Sequence, residues 1–219
     1  MSVTNIRLIV LAHTKFGEKT LALHTLSDEY GSRSFLVRVG PKTPMAMFLP
    51  LNILEADIVP NPKSEFWTAR NFQPLTPLSG IRDSYGKNTM SLFLSEVLFR
   101  TLREGAREEG LYDWCEQQIR TLDALESSWS NFHLRFLLDL SVALGFRPSR
   151  EELAPLCETR LPAVSGLLES DFAGAMLIPL SGAARSDIAE ALLRYLEIHL
   201  EVPIHIRSLA VLRELYQYA

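Results

Sequence analysis

Residues Phe16 to Lys42 read FGEKTLALHTLSDEYGSRSFLVRVGPK, and this stretch decides the front half of the fold. Leu21 and Leu23 alternate with Ala22 and His24; further on, Phe35, Val37 and Val39 alternate with Ser34, Leu36 and Arg38. A period of two predicts half-buried strands. Between them, Ser27-Asp28-Glu29-Tyr30-Gly31 supplies turn chemistry: short side chains that bond nearby backbone, then a glycine able to take positive φ. The stretch predicts a hairpin.

Working outward, Ile6 to His13 reads as an earlier strand with Ile6, Leu8 and Val10 on one face. Phe48 to Val59 and Phe66 to Phe72 are two further extended candidates, separated by Pro60-Asn61-Pro62-Lys63. Five short strands with turn-rich connections predict a small closed barrel, because closure removes exposed sheet edges. Pro74-Leu75-Thr76-Pro77-Leu78-Ser79-Gly80 then breaks regular structure twice and marks a boundary, giving a β domain over 1–78 and a helical domain over 79–219. Met90, Phe93, Leu94, Val97, Leu98, Thr101 and Leu102 follow helical spacing, with Asn88 as the expected cap. Leu111 to Leu125 and Asn131 to Leu144 are the next helices, the latter stopped by Gly145 and Pro148. NFHLRFLLDLSVAL is apolar on nearly every face and is expected at the centre of a bundle. Residues 150–182 predict short helices or a small hairpin, and Ser186 to Leu200 and Ser208 to Tyr218 close the chain as helices around Pro203. The fold class is α+β: a small antiparallel β-barrel followed by an all-α domain.

Composition narrows the function classes. The chain has 219 residues, 47% of them apolar, enough for one large domain or two small ones. No apolar run approaches the roughly 20 residues that span a bilayer. The patch Leu8 to Ala12 lacks the features of a secretory signal, so the reading is a soluble, cytoplasmic protein with no membrane partner. Cys115 and Cys157 have no CxxC spacing, which argues against a disulfide framework and a structural zinc. Cys115 falls on the apolar stripe Leu111, Cys115, Ile119, Leu122 and reads as core. The net charge of -4 argues against indiscriminate coating of nucleic acid. The distribution is uneven, with eight Lys or Arg against six Asp or Glu in residues 1–80 and 14 against 20 in the remainder.

With this order laid out, the sequence resembles the RecO family of bacterial recombination mediators. The resemblance runs through LIVLAHTKFGEKTLAL with its glutamate at Glu18, TLSDEYGSRSFLVRVG with its turn glycine at Gly31, NFHLRFLLDLSVALGFRPS with an Arg-Phe pair and a Gly-aromatic-x-Pro ending, and SLAVLRELY. It implies an N-terminal oligonucleotide-binding (OB-fold) barrel and a C-terminal helical domain. It further implies binding of single- and double-stranded DNA, annealing of complementary strands, partnership with RecR and docking of the acidic, phenylalanine-ended tail of single-stranded DNA-binding protein. Such proteins help load recombinase, are not enzymes, and need no cofactor for this role. Two departures stand out. Where many members carry four zinc-binding cysteines, this chain has only Cys157, so no metal is expected. The loop after the basic strand, often rich in Lys and Arg, here reads GPKTPMAMF with Lys42 alone.

For DNA contact the candidates are Lys15, Lys19, Arg33, Arg38 and Lys42, because a phosphate backbone needs several cations along one groove; scattered surface charge is the plainer alternative. Phe16, Phe66 and Trp67 are possible base-stacking rings, with core filling as their simpler role. Arg135 is the candidate for the partner tail, since a guanidinium beside an apolar groove suits a terminal carboxylate and ring; the alternative is a salt bridge to Asp139 four residues on. His199 and His205 with Glu197 and Glu201 match no metal or acid-base motif and read as helix-surface residues. The expected function is therefore a non-enzymatic mediator of recombinational DNA repair. The alternative is a protein-interaction hub of the same fold with negligible DNA binding.

Overall fold

The computed structural model describes residues 3–61, 64 and 67–217; Pro62, Lys63, Phe66 and Tyr218, which figured in the sequence expectations, lie outside them. Five strands form a closed barrel: β1 (Thr4–Gly17), β2 (Thr20–Ser27), β3 (Gly31–Arg38), β4 (Ile53–Val59) and β5 (Trp67–Pro74). Their order around the barrel is β1-β2-β3-β5-β4. All pairings are antiparallel except β3 with β5, where Phe35 faces Trp67 and Val37 faces Ala69. β4 closes the cylinder against β1, from Thr4 opposite Ile58 to Ile9 opposite Ile53. This is the five-stranded OB-fold arrangement.

The hairpin forms where expected, with Ser27 paired to Gly31 and Gly31 at φ 63°. The Ser27 hydroxyl accepts from Tyr30 N and donates to Gly31 O, so the turn is closed by its own side chain. Inside the barrel, Ile6, Leu8, Val10, Leu21, Leu23, Phe35, Val37, Phe48, Leu54, Ala56, Ile58 and Ala69 make one core. Full burial of each larger side chain is worth roughly 1.5–3 kcal/mol.

Two strand expectations need correction. The fourth strand begins at Ile53, not Phe48, because Met45–Phe48 form a 3-10 turn and Leu51 takes φ 63°. Pro50 cannot donate to a ladder, and the Asn52 amide donates to Ala46 O and Met47 O, locking the turn. The half-buried alternation is also incomplete. Ile9, Leu11, Ala22 and Leu26 are buried on the outer side as well as their neighbours on the inner one. Residues 94–119 belong to the same compact unit as the barrel and meet it at Glu104 and Ala106, bonded to β3, and at Phe99, packed on His24.

The chain divides into two such units: the residues up to Ser79 with Leu94–Ile119, and Gly80–Phe93 with the residues from Arg120 onward. Helices are α1 (Ser79–Arg82), α2 (Tyr85–Thr101), α3 (Leu111–Ala124), α4 (Phe132–Ala143), α5 (Arg150–Leu153), α6 (Leu161–Glu169), α7 (Phe172–Leu177), α8 (Gly182–Leu200) and α9 (Ser208–Gln217). The cap of α2 is Ser84 in place of Asn88: its hydroxyl accepts from Lys87 N, while Asn88 Oδ1 accepts from Arg82. Residues 150–182 resolve the open choice in favour of short helices. α4 is central in the second unit, with Phe132, Leu134, Leu137 and Leu140 fully buried. It ends at Gly145, φ 91°, with Phe146 N bonded back to Ser141 O.

Candidate nucleic-acid interface

The β1–β2 turn places Lys15 and Lys19 on the exposed surface at one end of the barrel. Lys15 is paired with Leu21, and Thr20 with Arg38 on the far side of β2. Val39 N donates to Lys19 O at 2.9 Å, tying the end of β3 to this turn. The chain then runs through Gly40-Pro41-Lys42, where the Thr43 hydroxyl accepts from Gly40 N. Lys15, Lys19, Arg38 and Lys42 therefore cluster at one barrel end. Among the described residues no carboxylate lies within salt-bridge distance of any of the four. Glu18 shares the turn and offsets part of its charge.

A cleft of about 860 Å³ opens between the 40–48 segment and β5. Arg38, Lys42 and Arg70 stand on its rim, and Val37, Met47, Phe48, Ala69 and Phe72 supply apolar walls. Among the described residues lining it, none is acidic. A bulge shapes this wall. Asp57 faces Arg70 and Glu55 faces Gln73, so β5 carries one residue more than β4 over this step. Asn71 sits in the left-handed region at φ 56°, its amide donating to Asp57 Oδ2 at 2.8 Å. The extra residue moves the inward side of β5 from Ala69 to Phe72, whose ring meets Phe48 edge-on at 5.1 Å. Arg70 and Phe72 escaped sequence reasoning because period two does not anticipate a bulge.

Arg33 lies apart from these four. It is on β3 opposite Thr25, five residues before Arg38, and its guanidinium stacks on Trp67 at 3.6 Å from the ring centroid. Tyr30 meets the same indole edge-on at 5.0 Å. Among the described residues Arg33 Nε is buried without a hydrogen-bond partner, and the guanidinium lies over the indole face. Trp67 thus packs within the barrel unit, and Phe16 is exposed in the β1–β2 turn.

On the outer side of β2 and β3, where OB-folds bind oligonucleotides, residues 99–106 of the chain itself meet Ser32, Ser34 and His24. Glu104 accepts from Ser34 N at 2.7 Å and from Ser34 Oγ at 2.9 Å. Ser32 N donates to Ala106 O, and Gly105 N donates to Ser32 O. His24 bonds the Ser34 hydroxyl at 2.7 Å and packs on Phe99; burial holds its pKa below the ordinary imidazole value. The order is unsuited to nucleophilic catalysis. The Ser34 proton is committed to Glu104, not to the imidazole, and the serine is buried.

In the helical unit, Arg135 grips Asp139 through Nε at 3.0 Å to both carboxylate oxygens and donates from a terminal nitrogen to Ser170 O at 2.8 Å. The salt bridge weighed for it is present. The same arginine lines a groove of about 340 Å³ with Leu138, its ion-pair partner Asp139, Val142, Arg147, Pro148, Leu167 and Leu168. Half of Val142 is exposed, so the groove has an open apolar wall. Arg147 is a second cation there, lying in the GFRPS segment where sequence reasoning weighed Arg135 alone. Cys115 is fully buried, as expected of a core residue. Glu197 accepts from Arg194 and from Ile204 N, and His199 packs on Tyr195, so these groups serve the α8 surface and the segment after it.

Residues 82–152 match the family described as Recombination protein O C terminal. The chain is 29% identical over 236 aligned residues to the DNA repair protein RecO of Bacteroides fragilis, covering 95% of this chain and 97% of the relative. The DNA repair protein RecO of Flavobacterium psychrophilum is 28% identical over 233 residues, again with 95% and 97% coverage. That of Phocaeicola vulgatus is 31% identical over 153 residues, 68% of this chain and 64% of the relative. With the barrel and helices in the order described, the chain belongs to the RecO family of DNA repair proteins.

Proposed function

We propose that the chain is a non-enzymatic mediator of recombinational DNA repair that captures DNA at the barrel end and partners at the helical unit. The carrying observation is the group Lys15, Lys19, Arg38 and Lys42 at one barrel end, with Arg38 and Lys42 lining a cleft that has no acidic residue among its described lining. Aligned cations release counterions from a phosphate backbone, which drives association without base sequence preference. Apposition of two captured strands then promotes annealing, and handover to RecR and the recombinase completes loading.

The groove at Arg135 and Arg147 is the docking place for the tail of single-stranded DNA-binding protein. Its apolar wall takes a terminal phenylalanine, and two guanidinium groups stand within reach of a carboxylate. Arg135 is already held by Asp139 and Ser170 O, which fixes its position before the tail arrives.

One observation favours the second reading, a protein-interaction hub with negligible DNA affinity. The β2–β3 face is occupied by Glu104 and its neighbours. Annealing decides between the two. Complementary labelled oligonucleotides should pair faster with the wild-type chain at low salt, and the acceleration should vanish in the Arg38→Glu, Lys42→Glu variant. An acceleration untouched by that double reversal, or none in the wild type, removes the barrel end from the function.

A further inference from the structure

The cleft between the 40–48 segment and β5 has more than charge to offer. Its rim is cationic, with Arg38, Lys42 and Arg70, yet its walls are Val37, Met47, Phe48, Ala69 and Phe72. A duplex presents only phosphates and groove edges to such a wall, so the apolar part would stay empty. An unstacked nucleobase matches both parts: a flat apolar body for the wall and an adjoining phosphate for the rim. The volume of about 860 Å³ lies in the range of clefts that enclose a small ligand, roughly 300–1,000 Å³.

The geometry points to a base-insertion pocket for single-stranded nucleic acid, with Phe72 and Met47 as the side chains that receive the base. This rests on the proposal that the barrel end contacts DNA, and adds how it separates single strands from duplex. Charge selects the occupant. Lys15 and Lys19 continue the cationic surface from the cleft along the β1–β2 turn. That suits a polyanion longer than the cleft better than a peptide with one carboxylate. The Asn71 bulge turns Phe72 onto the cleft wall, where Phe48 steadies the ring. The Asn52 amide holds the opposite wall at Ala46 and Met47. Both walls are thus braced by hydrogen bonds or ring contacts without a ligand.

The test compares two labelled strands of equal length, about 12 nucleotides, by fluorescence anisotropy. One is oligothymidylate; the other has the same phosphates and abasic sugars throughout. The pocket predicts that the abasic strand binds the wild-type chain at least ~5-fold more weakly, the lower end of the value of stacking one base. Phe72→Leu, which keeps apolar volume but loses the ring face, should abolish that gap while leaving the abasic strand's affinity unchanged. Met47→Ala is the second variant, acting from the other wall. Equal binding of both strands by the wild type overturns the pocket and leaves the cationic surface standing if Arg38→Glu, Lys42→Glu weakens both. Absence of binding to either strand overturns both proposals. A gap that survives both wall variants, or competition for the cleft by an acidic phenylalanine-ended peptide, also overturns it.

Discussion

His133 should make the helical unit sensitive to mild acid. The ring is 1% exposed. It stacks on Tyr216 at 5.5 Å and meets Phe93 edge-on at 5.9 Å. Burial, reinforced by the nearby Arg185 guanidinium and opposed by a hydrogen bond with Ser130 backbone, pushes its pKa down to about 3. An unfolded chain has the ordinary value of about 6.5. Because the folded pKa is depressed, the unfolded state binds more protons between these two values, and stability falls as pH drops through 6.5. At about pH 5 the unfolded histidine is nearly all protonated and the folded one nearly all neutral, so the cost is ~2 kcal/mol relative to neutral pH. The assay is urea unfolding at both pH values for the wild type and for His133→Phe, which keeps a ring in the stack and removes the titration. His24, also held low by burial, contributes equally to both proteins and cancels. The wild type should lose ~2 kcal/mol more than the variant between the two conditions. Equal losses would show that His133 accepts a proton in the folded state, and would refute the reasoning.

Gly31→Ala should destabilise the barrel unit by at least ~2 kcal/mol, because the residue sits at φ +63° and a new Cβ would lie 2.1 Å from Ala106 O; a thermal melt within a degree or so of wild type would contradict it. Glu104→Ala leaves Ser34 N and its hydroxyl without their acceptor. The expected cost is ~1–3 kcal/mol, with faster amide exchange at Ser34 than in wild type, and unchanged exchange would show that the contact is dispensable. Arg147→Ala should weaken capture of the acidic phenylalanine-ended tail about tenfold or more, as expected for a lost charge-assisted contact. Arg135→Ala should do the same and also free Asp139; retention unchanged by both removes this groove from the account.

How much was legible in the sequence depended on whether a residue's role was local. Leu21, Leu23, Phe35 and Val37 announced their strands by alternation, and Gly31 announced its left-handed turn, since a small set of backbone states governs both. The α4 pattern announced burial on all sides. Ile9, Leu11 and Ala22 gave no warning of two-sided burial, because burial of the outer side depends on chain distant in sequence, and residues 94–119 join the barrel in one compact unit. The strand start at Ile53 depended on the Asn52 amide reaching back to Ala46, a contact without a period. The site divided in the same way. Lys15, Lys19, Arg38 and Lys42 are near in sequence, and the pairing of β1, β2 and β3 brings them to one barrel end. Arg33, on the same hairpin, stacks on Trp67, a contact that alternation within β3 does not reveal. Arg70 and Phe72 join from a distant strand whose bulge no alternation reveals.

The salt dependence of single-strand binding reaches the central claim most directly. Four cations at the barrel end, each neutralising one phosphate, give a slope of log affinity against log salt of about -3 for a single strand. Replacing Arg38 and Lys42 by alanine should reduce its magnitude by about 1.4. A wild-type slope near zero, or a slope that the two substitutions leave in place, would contradict it.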